Sequence, residues 1–245
     1  MSAKVSQEYW DAGYEHLDLV YKPETIEFRE LFERHLKPQG TCFEIGCYPG
    51  NFLIYLGTRF DYVVSGIDTT SYVLSRLPQH LINHGVKVGK FHQGDFLSFE
   101  SSDVYDVVCS FGFIEHFSNL EEVIERHIRL VKPGGILIIS CPNFRGLQYI
   151  FHRLLDPANL ERHVLKAMSL SRWNRVLKRN GMMTIYQGYY RTADFWVDTP
   201  RSRRWAELAI ECIKWATKQI DRRVNWPNPL LSPHMISFSQ KDACG

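Results

Sequence analysis

Short apolar runs alternate with amphipathic stretches from about residue 40 to residue 144. TCFEIG (41–46), YVVSGID (62–68), part of VKVGKFHQGDF (86–96), YDVVCSFGF (105–113) and KPGGILIISCPN (132–143) read as five strands, the last entered through a Gly-Gly turn. GNFLIYLGTRF (50–60) reads as a helix between the first two. TTSYVLSRLPQHLINHG (69–85) reads as a helix kinked at Pro78 and stopped at Gly85. A further helix begins near Ser118, where Ser118-Asn-Leu-Glu121 has the form of a capping box. Upstream, PETIEFRELFERHLK (23–37) places Thr25, Phe28, Leu31, Phe32, His35 and Leu36 at helical spacing. These alternating units predict a right-handed, parallel β-α-β sheet.

Past Asn143 the pattern changes. Residues 144–181 are long and helical, and MTIYQGYYR (183–191) and LSPHMISFSQK (231–241) read as a sixth and a seventh strand. Between them RWAELAIECIKWATKQIDRRV (204–224) is an amphipathic helix, with Trp205, Leu208, Cys212, Trp215 or Ala216, and Ile220 repeating at helical spacing. The fold class expected is therefore α/β, a doubly wound, seven-stranded, mostly parallel sheet with helical inserts. Its parts are an N-terminal helical lid (1–37), a nucleoside-binding core (38–144), and a C-terminal part (145–245) that completes the sheet. Inserts at about 145–180 and 198–230 in that last part are placed to cap a cleft.

Composition narrows the classes. No apolar run approaches the ~20 residues of a spanning helix, and the first residues lack an apolar signal segment, so a cytoplasmic protein is expected. Cys42, Cys47, Cys109, Cys141, Cys212 and Cys244 are scattered and read as reduced, mostly buried thiols. No CxxC pair, Cys/His spacing or acid cluster has the form of a metal site, so no metal is expected. The net charge of +2 hides a division: residues 1–144 carry 12 Lys and Arg against 19 Asp and Glu, whereas residues 145–225 carry 16 against 7. The basic part fits an anionic acceptor, an acidic surface or a membrane face, and solvated helix faces fit it equally.

The first strand ends in Glu44 and runs into the turn Gly46-Cys47-Tyr48-Pro49-Gly50, and the second strand ends in Asp68. Strand, tight turn, helix, strand and acid form a nucleoside half-site, with the acid placed to accept ribose hydroxyls. GxGxxG would need glycines where Tyr48 and Asn51 stand, so dinucleotides are disfavoured. The E-x-G-x-x-x-G form resembles motif I of the Rossmann-like class I S-adenosylmethionine (SAM) methyltransferases, and the resemblance covers about residues 40–144. It implies SAM as cofactor, with Glu44, Gly46, Cys47, Tyr48, Gly50, Asn51 and Phe52 around its methionine end. Asp68 and Thr69 would meet the ribose, and Asp95 and Phe96 the adenine. Ser110-Phe111-Gly112-Phe113-Ile114-Glu115-His116 resembles the segment after the fourth strand in small-molecule families that include ubiquinone-pathway enzymes. There the backbone at Ser110 and Gly112 would face the amino acid end, and Phe111 and Phe113 would flank the sulfonium.

His116 is the candidate base, since methyl transfer to a hydroxyl requires loss of a proton, and His163 is the next candidate. Tyr9, Trp10 and Tyr14 are candidates to close over SAM. Other subclasses lack their marks. SFGF replaces the N/D-P-P-aromatic of base amino-methyltransferases, and Cys141-Pro142 reverses the Pro-Cys of cytosine C5 enzymes. Only Glu115 stands where arginine methyltransferases have two glutamates, and the acids of magnesium-dependent catechol enzymes are missing. The expected reaction is a metal-independent transfer to a hydroxyl or amine of a small metabolite, with no nucleic acid. A nucleic-acid, protein or membrane-lipid target is the alternative favoured by Arg201, Arg203, Arg204, Arg222 and Arg223. Oligomeric state is left open.

Overall fold

The computed structural model describes residues 4–243; Cys244 lies outside them. In chain order the elements are α1 (Gln7–Tyr14), α2 (Arg29–His35), β1 (Gly40–Ile45), α3 (Asn51–Phe60), β2 (Tyr62–Asp68), α4 (Tyr72–Ser75), α5 (Leu77–Asn83), β3 (Lys87–Gln93) and β4 (Tyr105–Phe111). Then follow α6 (Leu120–Arg129), β5 (Val131–Pro142), α7 (Gly146–Leu155), α8 (Pro157–Glu161), α9 (Leu170–Arg179), β6 (Met182–Tyr190), α10 (Arg204–Arg223) and β7 (His234–Lys241). The strands form one sheet in the order β3-β2-β1-β4-β5-β7-β6. β1 to β5 pair in parallel, and β7 runs antiparallel to both β5 and β6. The expected doubly wound, mostly parallel sheet is the one observed.

Strand periodicity divides the core. Cys42 packs on one face of the sheet with Phe32, Leu53 and Leu77, and the next residue, Phe43, packs on the other with Val108, Ile124 and Trp173. Both faces are covered, which is why the central strands read as unbroken apolar runs. Strand order reverses between β1 and β4, so the turns after these two strands flank the crevice where such sheets take ligands.

Several helices depart from the pattern read off the sequence. The 23–37 helix shrinks to α2, because Phe28 adopts a left-handed conformation (φ 64°) and separates it from a 3-10 turn at Pro23–Thr25. The kink at Pro78 is a full break, with Pro78 in the first turn of α5, where its missing N–H costs nothing. The N-cap of α6 is Asn119, not Ser118, and its Nδ2 donates to Glu122 Oε2 at 2.6 Å. α10 has the expected length, and most of its apolar stripe faces outward. Trp205, Leu208 and Trp215 are 52%, 63% and 67% exposed, whereas Ala206 and Ile210 bury against Leu155 and Phe195.

Candidate active site

The turn after β1 begins with Gly46 at φ 72°, whose N–H donates to Ile67 O at 2.9 Å. A Cβ there would come within 2.8 Å of Phe113 Cδ2, so the absent side chain lets the β1 and β4 turns close on each other. Asp68, at the end of β2, fastens the same turn. Its Oδ2 accepts the Tyr48 N–H at 3.0 Å and its Oδ1 the Thr70 N–H at 3.1 Å. Burial raises its pKa, and the backbone N–H groups oppose that shift. Each oxygen keeps a second lone pair for a ligand hydroxyl.

These residues line a cavity of about 220 Å³ with Thr69, Gly94, Asp95, Phe96, Phe111 and Gly112. Asp95 also caps the 3-10 turn that follows it, accepting the Leu97 N–H at 3.0 Å. α1 lies over the opening. Trp10 stacks on Tyr14 at 5.9 Å, and Tyr14 packs edge-on against Tyr48 at 4.8 Å. The sequence-expected N-terminal aromatics are therefore at the cleft.

A second cavity of about 400 Å³ shares Trp10, Phe111, Gly112 and His116 with the first. Phe52 lines this second cavity and stacks on Phe111 with centroids 3.8 Å apart. His163, expected on a helix, follows α8 and is buried with its ring 4.8 Å from that of His116. Each imidazole Nδ1–H donates to a backbone carbonyl, His116 to Arg162 (3.1 Å) and His163 to Asn159 (2.7 Å). Burial lowers both pKa values, that of His163 to about 3, so both rings are neutral at pH 7. Burial likewise pushes Glu115 up to about 8.

Some expected cofactor residues stand elsewhere. Glu44 and Cys47 are buried, and Glu44 Oε2 has no hydrogen-bond partner among the described residues. Burial raises the pKa of each well above its ordinary value. Gly50 and Asn51 do not line the cavity; a Cβ on Gly50 would meet Leu77 Cδ1 at 2.3 Å, so this glycine serves helix packing. Ser110 is fully buried and its Oγ pairs with His127 Nε2 at 3.0 Å. Its side chain therefore supports β4 from beneath. The sequence reading missed Glu27, Arg162, Trp196, Asp198 and His234, all in the second wall. His234 lay in the recognised seventh strand. Trp196 and Asp198 lie in an irregular segment with no periodic signal.

A family described as a methyltransferase domain matches residues 20–187, and the chain belongs to it. Its sheet is that of the class I SAM-dependent methyltransferases, a class whose methyl donor is SAM. Squalene methyltransferase 2 of Botryococcus braunii is 30% identical over 61% of this chain and 36% of its own length. A ubiquinone biosynthesis O-methyltransferase of Rickettsia canadensis is 25% identical over 60% of this chain and 63% of its own. The chain thus spans less than two thirds of either relative. Among solved structures, the N-methyltransferase NodS of Bradyrhizobium japonicum, in complex with S-adenosyl-L-homocysteine, superposes with a TM-score of 0.57 at 11% identity. That match covers 96% of this chain and 99% of NodS. A SAM-dependent methyltransferase of Geobacter sulfurreducens gives 0.59 at 15% identity, covering 95% and 97%.

Proposed function

We propose that this chain transfers a methyl group from SAM to a hydroxyl of a small molecule held in the second cavity, with an amine as the next acceptor class. The observation that carries this reading is the shared wall. Trp10, Phe111, Gly112 and His116 border both spaces, so a donor in one and an acceptor in the other meet there. The residues present fit SAM: the Gly46 turn has no side chain to obstruct it, Asp68 has lone pairs to spare, and Glu44 holds an unpartnered oxygen beneath.

SAM when bound supplies an electrophilic methyl carbon, and its displacement is driven mainly by holding the acceptor in line and close. His116 and His163 line the acceptor cavity and hold their Nδ1 protons against backbone carbonyls, and in this reading one of them deals with the acceptor's proton. Residues 1–37 act as the lid, 38–144 as the SAM core, and 145–245 as the part that finishes the sheet and caps the acceptor. Within that cap, Asn159, Arg162, His163, Trp196 and Asp198 contribute wall, whereas α10 contributes none. The charged groups of the acceptor wall at neutral pH are Glu27, Asp198 and Arg162, burial holding Glu115 protonated, and Arg162 is paired with Asp198. That favours a neutral acceptor over an anionic one.

Calorimetry with SAM, S-adenosyl-L-homocysteine and NAD tests the donor site. Binding of SAM and its demethylated product is expected, and binding of NAD alone would sink the reading. Formation of S-adenosyl-L-homocysteine across a panel of phenols, alcohols and amines then defines the acceptor.

The outward stripe of Trp205, Leu208 and Trp215, flanked by Arg204, Lys218 and Arg222, favours a second reading: an acceptor drawn from an anionic membrane face. Co-sedimentation with phosphatidylglycerol vesicles but not phosphatidylcholine vesicles is its expected result. Equal failure with both would remove it.

A further inference from the structure

Glu115, His116 and His163 each offer a donor atom, and the three atoms lie within 4.8 Å of one another. All three are aimed. Because a backbone carbonyl only accepts, the bonds from His116 Nδ1 to Arg162 O and from His163 Nδ1 to Asn159 O fix both rings in one tautomer, with the proton on Nδ1 and Nε2 bare. Metal-ligating imidazoles characteristically have such an outer bond behind them. Glu115 is 1% exposed and its Oε2 has no hydrogen-bond partner among the described residues. Two imidazoles and a buried carboxyl group with an unpartnered oxygen therefore converge at one point, and buried polar atoms ordinarily have partners. The backbone holds the two segments together, with the Val164 N–H donating to Glu115 O at 2.7 Å.

We propose that Glu115, His116 and His163 hold one divalent transition-metal cation, with its open positions facing the acceptor cavity. The proposal rests on the second cavity being the acceptor site. Two nitrogens and one oxygen suit zinc, cobalt(II), iron(II) or manganese(II), and not calcium or magnesium, which take oxygen ligands. Bonds of about 2.1 Å require the donors to close to about 3–3.5 Å from one another on binding the cation. The open positions then take the acceptor hydroxyl. Bound to the cation, that hydroxyl releases its proton to solvent near neutral pH, as metal-bound water does. Its oxygen lone pair forms the bond to the methyl carbon, and the electron pair of the breaking carbon–sulfur bond stays on sulfur. His116 and His163 thus act on the acceptor's proton through the metal and not by accepting it.

The test uses the full chain stripped with chelator and titrated with cobalt(II) chloride, followed by visible absorption and calorimetry. One equivalent is expected to bind, with excess magnesium chloride unable to displace it. Glu115→Gln and His163→Ala should each weaken binding by more than the roughly 10–100-fold that loss of an outer-shell partner costs. X-ray absorption of the zinc-loaded wild type should show two imidazole ligands, a measurement that decides the matter even where a variant misfolds. No stoichiometric binding, binding unaltered in folded variants, or a metal without two imidazoles would overturn the site. SAM affinity is measured on the same samples. SAM binding without metal binding removes this inference alone, whereas metal binding without SAM binding removes the methyltransferase reading.

Discussion

Asp68 both shapes the cleft and faces it, and the two roles can be separated by substitution. Asp68→Ala loses the charged hydrogen bonds to a ribose and frees the Tyr48 and Thr70 N–H groups, so SAM affinity should fall by ~1.5–3 kcal/mol. Calorimetry that finds unchanged affinity would mean that Asp68 is a turn anchor only. Gly46 makes the complementary case. Gly46→Ala combines a left-handed backbone, worth roughly 1–2 kcal/mol against a β-carbon, with a contact to Phe113 that must move. Both thermal stability and affinity for S-adenosyl-L-homocysteine should drop. A variant that binds normally would show that Phe113 yields freely. Gly50→Ala should instead cost stability more than affinity, since its neighbours are Leu77 and Leu81 and not the cleft.

At the scale of elements, the sheet was legible because short, nearly continuous apolar runs bounded by turn residues, alternating with amphipathic stretches, leave little choice of state. β2 is observed over the seven residues read from the sequence. The donor half of the site was legible for the same reason, since the turn after β1 and the acid after β2 are local features of consecutive elements. The acceptor half was not. Glu115 and His116 sit in a 3-10 turn after β4, and His163 reaches them only because the segment after α8 folds back. No sequence spacing reports that approach, and so the expectation of no metal missed a cluster of donors. α10 failed differently: its apolar periodicity identified a helix but not which side the protein covers. Leu208→Ser and Trp215→Ser should leave stability within about 0.5 kcal/mol, as for other surface changes, whereas Ile210→Ala should cost ~2 kcal/mol or more. Urea midpoints compare them, and equal losses would mean that the outward stripe is covered in solution.

At the scale of the whole molecule, the fold buries several imidazoles in their neutral form. His127 lies under β4, held by Val123 O at 2.7 Å and Ser110 Oγ at 3.0 Å, and burial lowers its pKa to about 4. His152 and His234, on the C-terminal side of the molecule, are likewise lowered to about 4, with burial again the leading cause. An unfolded chain binds protons at these rings near pH 6.5, earlier than the folded one does. The sign follows: the unfolded state holds more protons between about pH 6.5 and pH 4, so stability is full above that window and falls as pH falls through it. Each ring contributes on the order of a few kcal/mol across the window, enough together to rival the whole stability of a domain of this kind. Glu115, pushed up to about 8 by burial, acts in the opposite sense below pH 8, so the histidine share is read as the difference in urea midpoint between wild type and a histidine variant, which should be flat from pH 8 to pH 7 and change steeply between pH 6.5 and pH 4.5. His127→Gln should remove part of that slope and lose stability at pH 7.5, because Ser110 and Val123 keep only imperfect partners. A pH dependence of the midpoint identical in wild type and His127→Gln would show that His127 gains its proton without unfolding, which its burial forbids in the packing described here.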